Sequence, residues 1–205
     1  MLELDDVHVT IQAARILRGV SLKIDDGELV GLIGRNGAGK TTTMRAIVGL
    51  ERLARGDIWL RGTKMGTLEA HKRARMGIGY MPEDRRLVPQ LTVEENILLP
   101  SWANDKLDPE AGLRFAYDLM PELHAMRGRK ALQLSGGQQK LVALARALMA
   151  GTHLLLLDEP FEGVAPALAQ RLSEVIASLR EANRSILIAQ SELTHSSTLL
   201  DREYV

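Results

Sequence analysis

The chain has no cysteine among its 205 residues. That excludes a disulfide framework and any thiolate metal site, and it fits a reducing compartment. Neither sign of charge is in excess: 26 Lys and Arg balance 26 Asp and Glu. A chain so balanced has no bulk electrostatic pull toward nucleic acid or anionic lipid, although a local basic patch stays open. No run approaches the ~18 uninterrupted apolar residues that span a bilayer. The opening Met1-Leu2-Glu3-Leu4-Asp5-Asp6 is acidic and carries no signal-peptide core. No internal repeat or low-complexity stretch stands out. These absences lead to the expectation of a soluble, cytosolic chain that meets a membrane only through a partner. With 45% hydrophobic residues, it has enough apolar mass for an ordinary core in one domain or two closely joined subdomains.

Short apolar runs punctuated by turn residues read as strands: Leu2 to Thr10, Val20 to Ile24, Leu29 to Ile33, Asp57 to Arg61, Leu154 to Leu157 and Ile186 to Ala189. Helical periodicity lies between them. Leu168, Leu172, Val175, Ile176 and Leu179 share one face, and Leu141, Leu144, Ala145 and Leu148 form a second stripe. Asp108-Pro109 reads as an N-cap and a first-turn proline, opening a helix that runs toward Met120. The stretch from about Arg85 to Ala150 is therefore expected to be mainly helical, inserted between strands of a largely parallel sheet.

Gly34-Arg35-Asn36-Gly37-Ala38-Gly39-Lys40-Thr41 matches the phosphate-loop pattern, with an apolar strand before it and a helical stretch, Thr42 to Leu50, after it. Its glycines let main-chain N–H groups ring a phosphate at the positive end of a helix. The candidate ATP contacts are Asn36, Gly37, Ala38, Gly39, Lys40, Thr41 and Thr42. Lys40 supplies charge to the β and γ phosphates, and the Thr41 hydroxyl is a Mg²⁺ ligand. Leu154 to Leu157 runs into Asp158-Glu159-Pro160. A carboxylate at the tip of a buried strand beside a phosphate loop holds Mg²⁺, which is the role of Asp158. Glu159 is then placed to orient and deprotonate a water. Taken alone, the pair reads equally well as the start of a turn. Ser135, ahead of Gly136-Gly137-Gln138, caps a helix whose N-terminus offers a second anion site. An ordinary capped helix explains those residues as well.

Taken in order, Gly34 to Thr41, Leu134 to Gln138 and Leu154 to Glu159 resemble the Walker A, signature and Walker B motifs of ABC ATPases. The resemblance spans essentially the whole chain, and Leu134-Ser135-Gly136-Gly137-Gln138 is highly specific to that family. It implies an α/β fold of the P-loop NTPase, ABC ATPase type: a mixed sheet core with an antiparallel β subdomain and an inserted helical subdomain. The core would take residues 1–84 and 151–205, and the insertion about 85–150. It also implies ATP and Mg²⁺ as cofactors, ATP hydrolysis, and two ATP molecules held between head-to-tail subunits. Ser135, Gly136, Gly137 and Gln138 would then contact ATP on the partner's phosphate loop. The implied partners are transmembrane permease subunits, a second identical or different ATPase subunit and, indirectly, a solute-binding protein, with no nucleic acid. The implied location is the cytoplasmic face of the inner membrane. Tyr80 to Arg86, Leu91 to Asn96 and Glu159 to Pro166, with Ala165 where most of the family has aspartate, are similar to importers of branched-chain amino acids and of urea or amides.

Three positions depart from the commoner family pattern. Glu83 stands where a Mg²⁺-linking glutamine is usual. Ile11, or Val9 if the register slips, stands where an aromatic stacks on adenine. Ser191 stands where a switch histidine touches the γ phosphate, with His195 as an alternative or as a plain surface histidine. Serine donates a hydrogen bond but carries no positive charge, so slow hydrolysis is expected at this site. The last residues, Leu200 to Val205, look like the start of a strand, and further strands are expected beyond them. The competing readings are an ABC ATPase acting on DNA or the ribosome, and a nucleotide-binding regulatory subunit with weak hydrolysis.

Overall fold

The computed structural model describes residues 1–191 and 199–205. Two sheets form its frame. The first is antiparallel, with strands β1 (Leu2–Ile11), β2 (Ala14–Ile24), β4 (Arg55–Leu60) and β5 (Thr63–Lys64) in the order β2-β1-β4-β5. Leu2, Leu4, Val7 and Val9 of β1 are all buried although the spacing breaks at Asp5 and Asp6. A register shift between Leu4 and Val7 absorbs the extra residue and keeps one face turned inward.

The second sheet is parallel. It joins β6 (Ile78–Met81), β7 (Leu154–Asp158), β8 (Ser185–Gln190), β3 (Leu29–Ile33) and β9 (Arg202–Tyr204) in the order β6-β7-β8-β3-β9. Its central strands read as continuous apolar runs because both faces are covered. Leu155 and Leu157 face one core with Ile186 and Ile188, while Leu154 and Leu156 face another with Leu187 and Ala189. The second core is closed by the antiparallel sheet and by Met44, Ala46 and Ile47 of α1 (Lys40–Val48). The first is closed by α6 (Gly136–Ala150), α7 (Pro166–Glu181) and the side chains of α3 (Val93–Ala103), α4 (Pro109–Leu119) and α5 (Pro121–Ala125).

The inserted helices are set by their caps. Asp108 Oδ1 accepts from the N–H groups of Glu110 and Ala111, each at 3.0 Å, and Pro109 opens α4 as its sequence foretells. Thr92 and Glu95 form a capping box at α3. The expected apolar face of α7 is buried at Leu172, Val175, Ile176 and Leu179. Three strands differ from expectation: β2 begins at Ala14 rather than near Val20, and the short β5 and β6 were not expected. β6 hides behind Gly77 and Gly79. Gly79 is required because the Ala147 carbonyl of α6 packs directly on the strand there; a Cβ would lie 2.0 Å from that oxygen. The result is an α/β P-loop architecture with an antiparallel β subdomain and an inserted helical one. A short helix, α2 (Ala70–Ala74), leads into β6. No helix among the described residues is long and apolar enough to cross a membrane.

Candidate active site

Parallel strands present their carboxyl ends along one edge, where open α/β sheets bind ligands. β3, β7 and β8 deliver Gly34, Asp158 and Ser191 to that edge. The loop from Gly34 to Gly39 is tied back by Gly34 N–H to the Gln190 carbonyl at 3.2 Å and by Ala38 N–H to the Arg35 carbonyl at 3.0 Å. Gly39 turns it into α1 with φ 98°, a left-handed value that favours glycine, and no side chain caps the turn. The first-turn N–H groups of α1 are thus left for a ligand. Lys40, 7% exposed, folds back over the loop. Its Nζ donates to the carbonyls of Gly34 at 2.6 Å and Arg35 at 3.3 Å and pairs with Glu159 Oε1 at 3.1 Å.

The two carboxylates at the end of β7 face different groups. Asp158 is fully buried; its Oδ1 accepts from Thr41 Oγ1 at 3.1 Å and its Oδ2 from the Tyr80 hydroxyl at 3.2 Å. Burial raises its pKa, the two hydroxyl donors oppose the rise, and burial wins. Burial likewise pushes the Tyr80 hydroxyl up, and the adjacent Asp158 charge adds to it. Glu159 leaves the strand with φ 48°, uncommon for a residue with a side chain. This kink sends its carboxylate to Lys40 and Ser191. The Ser191 N–H donates to Oε2 at 3.1 Å; the Ser191 hydroxyl lies 2.6 Å from Oε1 and 2.7 Å from Asn36 Oδ1, and has one proton for the two. Lys40 Nζ also donates to Ser191 Oγ at 3.3 Å. The Glu83 carboxyl is raised, first by burial and then by repulsion from Glu162, Asp158 and Glu159.

A cleft of about 340 Å³ is lined by Asn36, Gly37, Gly39, Lys40, Thr41, Thr42, Glu83 and Glu159. Its apolar wall is Ile16 of β2. Ile11, expected at that wall, ends β1 and is not among the lining residues. Sequence reasoning missed Ile16 because β2 was read as starting after it. It missed Tyr80 as a partner of Asp158 because β6 was not seen as a strand. His195 lies outside the described residues. Among those described, no three His, Cys, Asp or Glu residues cluster as a metal cage. Thr41, Asp158 and Glu83 nonetheless offer hard oxygen donors around a second cavity that shares Thr41 and Glu83 with this cleft. That fits Mg²⁺, which keeps waters and takes one or two carboxylates beside phosphate oxygens.

The signature residues stand apart from this cleft and line no part of it. Ser135 Oγ accepts from the Gln138 N–H at 3.3 Å, and Gln138 Oε1 accepts from the Ser135 N–H at 3.0 Å, a capping box that leaves Ser135 and Gly136 exposed. Arg85 donates to the Gly136 carbonyl at 3.2 Å, and Arg146 of α6 donates to the Arg86 carbonyl at 2.6 Å and to that of Arg85. Arg85 and Arg86 are both left-handed, with φ 63° and 46°. The segment after Glu83 is thereby fastened to the helix that carries the signature.

A phosphate loop, a strand-end carboxylate pair and a separate Ser-Gly-Gly helix start define a P-loop ATPase of the cassette class. Comparison with known proteins agrees. A family profile described as ABC transporter matches residues 17–162. The high-affinity branched-chain amino acid transport ATP-binding protein BraG of Pseudomonas aeruginosa is 36% identical over 205 residues, covering 100% of this chain and 88% of that protein. The lipopolysaccharide export system ATP-binding protein LptB of Escherichia coli is 36% identical over 193 residues, covering 93% and 80%. The dimeric structure of a bacterial ABC transporter cassette superposes with a TM-score of 0.84 at 25% identity, covering 94% of this chain and 89% of that one. The chain belongs to the ABC transporter ATP-binding family: it is the ATP-hydrolysing subunit of a transporter.

Proposed function

We propose that this subunit powers import of branched-chain amino acids or related small polar solutes. The match to the amino acid transport protein over the whole of this chain supports the cargo reading. The meeting of Lys40, Thr41 and Glu159 at one cleft, with Asp158 accepting from the Thr41 hydroxyl beside it, supports the chemistry. In this reading the triphosphate lies along the Asn36–Thr42 loop, with the base against Ile16. Thr41, Asp158 and Glu83 would hold Mg²⁺, which would neutralise phosphate charge there. Lys40 gives up its pair with Glu159 to contact the β and γ phosphates. That frees the Glu159 carboxylate to take a proton from a water, whose oxygen attacks the γ phosphorus as the bond to ADP breaks. Ser191 directs Glu159 through its N–H and hydroxyl. It supplies no cation to the γ phosphate, so turnover at this site is slow beside a histidine-bearing site.

Ser135, Gly136, Gly137 and Gln138, turned away from the chain's own cleft, serve ATP on a second ATPase subunit. That subunit is identical to this one or a different one. The pair sits on a permease at the cytoplasmic face of the membrane, fed by a solute-binding protein. Export of a lipid-linked saccharide is the second reading, favoured by the equal identity to the lipopolysaccharide system. Capture of the Glu159→Gln chain with ATP from detergent-solubilised membranes identifies the permease. Uptake of radiolabelled leucine by cells with and without the subunit decides the cargo. Loss of uptake on deletion, restored by the wild-type chain and not by Glu159→Gln, supports import. Unchanged uptake with a captured export permease overturns it.

A further inference from the structure

Lys140 is a charged side chain with no place in the mechanism above. It lies on α6, just past the signature turn, and is 7% exposed. An ammonium has three protons. Here Nζ donates to the main-chain carbonyls of Glu159 at 2.9 Å, Pro160 at 3.1 Å and Glu162. Every proton is used, and all three acceptors lie on the turn leaving β7. Burying an ammonium is unfavourable, so a residue needed only to fill space would be apolar here. The turn does need a cation, because three carbonyl dipoles converge on one point. It also needs holding, because Glu159 sits at φ 48°, where a side chain is strained.

We propose that Lys140 is a positioning residue for hydrolysis: its ammonium locks the left-handed backbone at Glu159 and so aims that carboxylate into the cleft. The lock is applied from the helix whose first turn is Ser135 to Gln138, so the Glu159 turn and the signature turn move as one piece. The proposal rests on the reading of Glu159 as the hydrolytic base.

The test uses the full chain in its assembled dimer and compares Lys140→Met, Lys140→Arg, Glu159→Gln and the double variant Lys140→Met/Glu159→Gln. Misaiming a catalytic group by about 1 Å costs up to about 100-fold. Lys140→Met should therefore lower kcat by at least ~10-fold, while the affinity for a fluorescent ATP analogue stays within about twofold. Lys140→Arg, which keeps cationic donors, should recover most of the loss. The double variant should hydrolyse no more slowly than Glu159→Gln alone, because Lys140 acts through that carboxylate. A folded Lys140→Met with wild-type kcat, a parallel loss of nucleotide affinity, or a double variant slower than Glu159→Gln would each overturn the proposal. If Lys140→Met does not fold, Lys140→Gln takes its place under the same criteria. Wild-type hydrolysis by Glu159→Gln would instead overturn the reading of Glu159, a separate and distinguishable failure.

Discussion

Gly79→Ala should destabilise the protein far more than its single methyl group implies. The added Cβ would sit 2.0 Å from the Ala147 carbonyl oxygen, 2.8 Å from the Gly151 nitrogen and 2.9 Å from the Ala147 carbonyl carbon. All three are main-chain atoms at the end of α6, so no rotamer change relieves the contact. The helix end must retreat from β6 by about 1 Å, and packed interiors resist such shifts. Overpacking of this kind costs about 3 kcal/mol, and in a chain of this size that lowers Tm by about 6–12 °C. Gly112→Ala is the matched control. Its Cβ would come within 2.3 Å of Met149 Sδ and 2.6 Å of Met149 Cε. Those atoms end a flexible side chain, and the exchange gains about 1 kcal/mol of helix propensity within α4. Circular dichroism melts of both variants, nucleotide-free, should show the first falling by several degrees and the second nearly unmoved. A Gly79→Ala melt equal to wild type, or equal drops in both, would refute the argument that backbone rather than side-chain contact decides the cost.

Three further outcomes follow from the site. Glu159→Gln, which removes the charge that competes for Lys40, should bind ATP at least as tightly as wild type and lose about 100-fold or more in hydrolysis, the span of a positioned general base; filter binding and phosphate release check both halves. Tyr80→Phe leaves Asp158 Oδ2 without its hydroxyl donor; a lost hydrogen bond of about 1 kcal/mol should raise the Mg²⁺ concentration for half-maximal hydrolysis by about fivefold and leave ATP binding in EDTA unchanged. Asp158 is raised by burial above its ordinary 3.8, so its folded form holds the proton more tightly than the unfolded chain. The corresponding stability is present below 3.8 and lost as pH rises through the higher folded value. Nucleotide-free Asp158→Asn should accordingly melt above wild type at pH 8, with the gap narrowing as pH falls through that window; a variant that melts lower at pH 8 would contradict this.

Much of this chemistry is legible in the chain itself because it sits where local sequence and fold coincide. Gly34 to Thr41 states a strand end, a tight turn and a helix start in eight letters, and Leu154 to Glu159 states a doubly covered strand with acids at its tip. Asp108-Pro109 announces α4 for a similarly local reason. The failures are non-local. β6 is invisible because Gly79 answers to a helix some seventy positions away, not to strand propensity. Ile16 replaces Ile11 in the cleft because β2 folds back along β1, pairing Ala14 with Ile11. The bond between Tyr80 and Asp158 needs β6 beside β7 before either residue has meaning. Lys140 gives no signal at all, since its partners are main-chain carbonyls that any sequence would supply.

The ion pair between Lys40 and Glu159 makes the cleft its own competitor. Its side chains are only 6% and 8% exposed, so few waters stand ready to replace either partner. An incoming ligand must offer Lys40 more negative charge than Glu159 does, which a triphosphate can and a bare nucleoside cannot. Apparent affinity is therefore the intrinsic affinity scaled by the fraction of molecules with the pair open. The same rivalry runs in reverse after hydrolysis. As phosphate loosens, the tethered Glu159 carboxylate would compete with it for Lys40 and so favour its release.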